Sequence, residues 1–155
     1  MEEKWEFERD EDNDSSVIKY FIDNQKIADC NLYEAYGSEL FFDGFLDEKT
    51  YDKLIPQDRY LVLNTLFVQR DHRGQGIGNK MMIKVMETIK KEYPNYDRVV
   101  LWTNPFSIYM GINYLSIELL KKFYKKFGFK SVDINFILPD AQEEYNGNLM
   151  IKKMF

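Results

Sequence analysis

Residues 61–91 read LVLNTLFVQRDHRGQGIGNKMMIKVMETIKK, from Leu61 to Lys91, and this stretch decides the fold. Tyr60–Val68 is a mostly apolar run, as expected of a strand buried on both faces in a sheet centre. Ile77, Met81, Val85 and Ile89 recur every four residues, with Lys80, Lys84, Glu87 and Lys91 on other faces; the spacing predicts an amphipathic helix over Ile77–Lys91. Between strand and helix lies Arg73-Gly74-Gln75-Gly76-Ile77-Gly78, with three glycines at alternate positions where a helix must begin. The first four N–H groups of a helix lack partners within it, and the helix dipole adds partial positive charge there. Glycines let a ligand come close to those donors. The turn is therefore built for an anion, and a pyrophosphate fits best.

Spacing excludes two familiar phosphate sites. A P-loop needs glycine directly before its lysine, and here Asn79 precedes Lys80, with Met81 where a magnesium-holding hydroxyl belongs. A dinucleotide fingerprint needs G-x-G-x-x-G, and this chain has G-x-G-x-G. The turn resembles the signature of the GNAT N-acetyltransferase superfamily, Q/R-x-x-G-x-G/A after a strand ending in an L-x-V-like pattern. Arg73, Gly76 and Gly78 fill that signature, and Leu66-Phe67-Val68 supplies the strand end. A second segment, LLKKFYKKFGF from Leu119 to Phe129, is similar to the family's helix ending in F-Y-x-x-x-G-F. Leu115, Leu119, Phe123 and Phe127 form one apolar stripe, and Gly128 falls where a C-cap glycine belongs. Alone this segment reads as a core helix; its position after the glycine turn is the order the family requires. The resemblance covers residues 61–138 well and the first sixty poorly.

A chain of 155 residues fits a single domain, 1–155, able to bury roughly 70% of its unfolded surface. With 12 Phe, 11 Tyr and 2 Trp, a sizeable core is available. The lone Cys30 has no internal disulfide partner, and no Cys/His cluster points to a metal. Residues 1–16 are an acidic, polar segment expected to be partly mobile, unlike a signal or transit peptide. No apolar run approaches the roughly 18 residues of a membrane span. The expectation is a cytoplasmic protein without a membrane partner.

The net charge of −5 hides an asymmetry. Residues 1–60 carry 7 Lys/Arg against 17 Asp/Glu, and residues 61–155 carry 14 against 9. In the family the C-terminal half holds most coenzyme A contacts and the N-terminal half shapes the acceptor groove. A basic half suits a phosphate-bearing cofactor, and an acidic half suits a cationic amine. The balance disfavours a nucleic-acid partner, which wants clustered Lys and Arg facing phosphates.

The remaining pattern predicts a short strand at Trp5–Arg9 and a hairpin of Val17–Ile22 with Gln25–Tyr36 around Asp23-Asn24. A short helix is expected over 47–55, with Asp47 as N-cap and Pro56 after its end. Arg98–Thr103 reads as a strand, Leu115–Phe127 as a helix, and Phe129–Leu138 with Asn148–Phe155 as a closing antiparallel pair around a polar loop at Asp140–Gly147. The fold class implied by the resemblance is α/β (α+β), a mixed, mostly antiparallel sheet splayed at the cofactor site and flanked by helices. Family members usually place two helices between their first two strands. Only seven polar residues separate Arg9 from Val17, so those helices are absent here or moved to 38–56.

Acetyl transfer from a thioester needs a held donor, a polarised carbonyl, a neutral amine and a protonated thiolate. The resemblance places the pyrophosphate of acetyl-CoA on the backbone amides of Gly74, Gln75, Gly76, Ile77, Gly78 and Asn79, with Arg73 opening the turn. Pantetheine would lie along Leu66, Phe67 and Val68, and a backbone N–H near Leu66 would polarise the carbonyl. Tyr124 aligns with the family's tyrosine that protonates the departing thiolate, a role a phenol of pKa about 10 can fill. Many members carry an asparagine seven residues earlier, where this chain has Ile117; Ser116 and Asn113 are the nearby polar residues. No acid or histidine lies in Tyr60–Val68, so Glu34, Glu39 and Asp43 are the candidate bases, none singled out by spacing. His72 reads as a surface or cofactor-adjacent residue, and Lys121, Lys122, Lys125 and Lys126 as a solvated helix face.

The reading is an N-acetyltransferase moving an acetyl group from acetyl-CoA to a primary amine of a small cationic molecule or of a protein, with no metal. The other reading is a GNAT-fold protein that binds acyl-CoA without turnover, as a sensor or interaction module. Acylation of charged tRNA is disfavoured by the acidic half. Many family members form a homodimer.

Overall fold

Two-residue hairpin turns that match the twist of their strands need positive φ at both central residues, which Asn and Asp tolerate. Asp23 and Asn24 adopt φ of 50° and 66° and join β2 (Ser15–Ile22) to β3 (Gln25–Tyr36) with Ile22 opposite Gln25. A register shift at Tyr20/Phe21 interrupts this antiparallel pair. A computed structural model describes residues 1–36, 59–102, 117–132 and 149–154. They form seven strands and two helices. The expected helix at 47–55, Glu39, Asp43, Asn113, Ser116 and the loop at Asp140–Gly147 lie outside the described residues.

The chain divides into two compact units. The first comprises Met1–Glu34 and Leu61–Asp97. Its strand order is β1 (Glu3–Asp10), β2, β3, then β4 (Arg59–Val68), and it carries α1 (Ile77–Glu92). β1 runs further than the expected Trp5–Arg9. It pairs antiparallel with β2 from Glu3↔Ile22 to Asp10↔Ser15, through a 3₁₀ turn at Glu11–Asn13. The acidic amino-terminal residues are thus largely strand. β1 is an edge, where charged side chains are tolerated and discourage pairing with another chain. β1 and β2 join directly, so the two helices that the resemblance leads one to expect between the first strands are not there; residues 38–56, the other position open to them, lie outside the described residues.

On β2 the burial alternates, so that Ser16, Ile18 and Tyr20 are covered. Met81, Val85 and Ile89, three of the four positions of the expected stripe, are fully buried on α1, and Ile77 is nearly so. Burying side chains of this size contributes roughly 1.5–3 kcal/mol each. Phe7 meets the Tyr93 ring edge-on at 6.5 Å, and the Tyr93 hydroxyl and Ser16 Oγ are bonded at 2.9 Å in the interior.

The second unit comprises Ala35–Tyr60 and Arg98–Phe155. From the first residues of β4 its strand order continues through β5 (Arg98–Trp102), β7 (Leu149–Lys153) and β6 (Lys130–Val132). β7 is antiparallel to both neighbours, with Val99↔Lys152 on one side and Lys130↔Ile151 on the other. The closing antiparallel pair expected from the sequence is therefore present, with β7 inserted between β5 and β6. Val99, Val100, Leu101, Phe129 and Met150 are buried in this unit. α2 (Ile117–Lys125) precedes β6. Its expected stripe is only half realised: Leu119 is 51% exposed, while Phe123 and Phe127 are half-buried and stack edge-on at 5.4 Å.

Candidate functional site

The end of β4 and the start of α1 are joined by residues 69–76. Gln69 donates its backbone N–H to the Ile27 carbonyl at 2.7 Å, fixing where the chain leaves the sheet. Arg70–His72 make one 3₁₀ turn, so His72 sits partly buried between strand and glycines. The Arg73 side chain turns back: its Nε donates to the Val68 carbonyl at 2.8 Å, and its guanidinium lies 5.6 Å from the centre of the Phe67 ring. Arg73 thereby holds the glycine turn against the strand residues Phe67 and Val68.

Gly74 and Gly76 have φ of 78° and 79°, conformations that cost an L side chain roughly 1–2 kcal/mol. Gly76 is the N-cap of α1, and no side chain caps the helix there. A Cβ built at either glycine meets nothing within 4 Å, so the space before the turn is open. Gly78 is already the second residue of α1, and the Ile77 side chain is 7% exposed, so what these two residues present is backbone. The arrangement is an uncapped helix N-terminus behind an open glycine turn, which suits phosphate oxygens. The residues from Leu66 to Asn79 belong to this one unit.

Lys80, in the first turns of α1, is bonded to Glu3 at 2.6 Å and to the Tyr20 hydroxyl at 3.2 Å. The ammonium holds the Glu3 carboxyl below its usual range, and Glu3 in turn raises Lys80; burial pushes the Tyr20 phenol up. The helical spacing places Lys80 on a face away from the apolar stripe, with no partner assigned. No spacing rule could have found partners 77 and 60 positions away.

Glu34 accepts a hydrogen bond from the Tyr96 hydroxyl at 2.6 Å and lies 3.9 Å from Arg9. Arg9 also covers the Tyr93 ring at 4.6 Å. Of the three candidate bases, Glu34 is therefore engaged in the packing that anchors the end of α1. On β4, Thr65 Oγ1 accepts from Asn31 at 2.8 Å. Among the described residues, no group of three or more His, Cys, Asp or Glu could hold a metal ion, and no helix is long and apolar enough to cross a membrane.

Tyr124 lies in the other unit, on the last turn of α2, and is 8% exposed. Its ring packs edge-on against Phe123 at 5.1 Å and Phe129 at 5.9 Å. The helix ends in a Schellman motif: Gly128 N–H bonds the Lys125 carbonyl and Phe129 N–H the Tyr124 carbonyl, with Gly128 at φ 91°. The C-cap glycine expected from the sequence is thus the residue that closes this helix. Lys122 and Lys125 are exposed, as expected of a solvated face, and Lys126 covers the Phe123 ring at 5.1 Å.

The strand with its open glycine turn and, in the other unit, the helix ending in F-Y-x-x-x-G-F are the two features that the resemblance to the acetyltransferases called for. The chain belongs to the GNAT acetyltransferases: residues 28–131, two thirds of its length, match the Acetyltransferase (GNAT) domain. No curated protein matches it. Among solved structures, the PaiA N-acetyltransferase of Thermoplasma acidophilum in complex with coenzyme A is 16% identical at a TM-score of 0.54, over 90% of this chain. The chain spans 61% of the PaiA chain. ElaA of Escherichia coli is 18% identical at a TM-score of 0.53, over 90% of this chain and 69% of that one. AtaT complexed with acetyl-methionyl-tRNAfMet is 15% identical at a TM-score of 0.54, over 92% of this chain and 72% of that one. These likenesses show the fold. Since the AtaT structure contains a tRNA, the fold itself does not exclude a nucleic-acid partner, and the expectation of none gains no support.

Proposed function

We propose that this protein is an acetyl-CoA-dependent N-acetyltransferase acting on a primary amine. The observation that carries the reading is the open Gly74–Asn79 turn at the uncapped start of α1, directly after β4. Coenzyme A would bring an acetyl group activated as a thioester. The amides of Gly74 to Asn79 would bind its pyrophosphate, and the backbone of Leu66, Phe67 and Val68 would align its pantetheine arm, with an N–H near Leu66 facing the carbonyl oxygen. Arg73 orients this turn from behind through Val68.

The amine nitrogen attacks the acetyl carbon, the C–S bond breaks, and the sulfur leaves with a proton. Tyr124 would supply that proton from its phenol, which recovers it through the amine side of the reaction. Holding the amine beside the thioester contributes much of the rate. The acceptor class in this reading is a primary amine of a small cationic molecule or of a protein.

The test is release of free thiol from acetyl-CoA with a panel of amines, polyamines, aminoglycosides and lysine peptides, alongside calorimetric titration with acetyl-CoA. Turnover is expected with at least one class, and Tyr124→Phe is expected to slow it by roughly 10²-fold. Tight binding with no turnover on any amine would instead support a non-catalytic acyl-CoA sensor. Absence of binding removes both readings.

A further inference from the structure

Lys152, on β7, donates from Nζ to the Phe127 carbonyl at 2.6 Å. Phe127 is the C-cap position of α2, one residue before the left-handed Gly128. In a Schellman ending, the Tyr124 and Lys125 carbonyls are satisfied by the chain's own N–H groups, while the C-cap carbonyl needs an outside donor. Lys152 supplies it with a charge-assisted bond at the negative end of the helix dipole. The β6–β7 register sets this contact: Lys130 pairs with Ile151, so the next step along β7 sets Lys152 opposite Phe129, within one residue of Gly128. The turn at Gly128, φ 91°, favours glycine, and a Cβ built there would stand 2.5 Å from Lys152 Nζ, so the lysine's end lies directly against this residue.

We propose that Lys152 is a positioning residue for Tyr124: by pinning the last turn of α2 from β7, it fixes where the phenol stands. This rests on the reading of Tyr124 as the proton donor. Tyr124 sits three residues before the capped carbonyl, and its own carbonyl accepts from Phe127 N–H at 3.0 Å and Phe129 N–H at 3.4 Å. Loss of the outside donor frays the turn these bonds close. Proton transfer requires heavy atoms within hydrogen-bond reach, so a loosened phenol costs rate rather than cofactor binding.

The experiment is a double-mutant cycle on thiol release, using Lys152→Met, Tyr124→Phe and the pair. Lys152→Met is expected to lower kcat by about tenfold, the worth of one lost charge-assisted bond. KM for acetyl-CoA should stay within about twofold, because its phosphates are bound elsewhere. In the Tyr124→Phe background the tenfold loss should vanish, since the phenol it positions is gone. Equal losses in both backgrounds, or a loss carried by KM, overturn the proposal and leave Lys152 a purely structural cap. If Tyr124→Phe alone turns over like the wild type, the proton-donor reading has failed, and this shows in an arm with no change at Lys152. Should Lys152→Met fail to fold, Lys152→Gln, which keeps a donor and removes the charge, runs through the same cycle with the same two outcomes.

Discussion

Replacing Gly76 separates the fold's need for glycine from the ligand's. Gly76→Ala puts a methyl group on a residue at φ 79° with nothing within 4 Å of it, so its only cost is backbone strain. That cost is roughly 1–2 kcal/mol, or a drop in Tm of about 2–8 °C for a chain of this length. Gly76→Asp carries less strain, since Asp tolerates this region, and a carboxylate at a helix N-terminus returns about 0.3–1 kcal/mol. The Asp variant should therefore melt closer to the wild type than the Ala variant does. Binding should rank the other way. A carboxylate about 4 Å from a phosphate charge is repelled by about 1 kcal/mol in water and about 4 kcal/mol at an effective dielectric of about 20, or about fivefold to about a thousandfold in Kd. Calorimetric titration with acetyl-CoA, paired with thermal melts, reads both orders. An Asp variant that binds like the wild type would refute phosphate binding at this turn. Affinities that simply follow the melting temperatures would assign the effect to the fold.

Three further outcomes are expected. Tyr93→Phe strands the buried Ser16 hydroxyl that it meets at 2.9 Å and should cost about 1 kcal/mol, seen as a Tm lower by about 2–4 °C; an unchanged melt would mean the pair contributes nothing. Burial, and then the Asp29 charge, push the Cys30 thiol well above its ordinary range, so a thiol-reactive dye should leave the native protein untouched and label it in urea; rapid native labelling would contradict the burial. Because Lys80 lowers the Glu3 carboxyl, this pair stabilises above the unfolded carboxylate range and is lost as pH falls through the folded value. Glu3→Gln should accordingly narrow its stability gap to the wild type as urea midpoints are measured from about pH 6 down to about pH 3; a gap that is constant with pH would show that no titration is coupled to folding there.

Local signals were the legible part of this chain. Glycine, Asn and Asp at left-handed positions marked the Asp23-Asn24 hairpin and the end of α2, and the four-residue stripe of α1 is buried where periodicity put it. These features depend on residues within one or two turns of each other. Periodicity failed on α2, where Leu119 is exposed although it shares the spacing of Phe123 and Phe127: a stripe states which residues lie on one side, and tertiary packing decides how much of it is covered. The long-range contacts were not legible. Lys80 with Glu3, Tyr96 with Glu34 and Lys152 with Phe127 span 77, 62 and 25 positions. Each joins a helix end to a strand, and only the strand order brings them together.

Those contacts also change what the charge asymmetry means. The acidic balance of residues 1–60 suits a cationic acceptor only if the carboxylates are free to meet one. In the first unit, however, Glu3 faces Lys80, Glu6 faces Lys4, Glu8 faces Lys19, Asp29 faces Lys26 and Glu34 faces Arg9, all within 4 Å. Asp10 accepts from Asn13, and Asp23 from the Glu2 backbone. Exposed pairs of this kind add little stability, typically about 0–1 kcal/mol each, yet they cancel the local field that a ligand would feel. The same cancellation reaches the glycine turn, where the ammonium of Lys80 is paired with Glu3. Attraction for an anion at that turn therefore rests on backbone amides and the α1 dipole more than on side-chain charge. Under the proposed reading, the residue to substitute there is accordingly a glycine rather than a lysine.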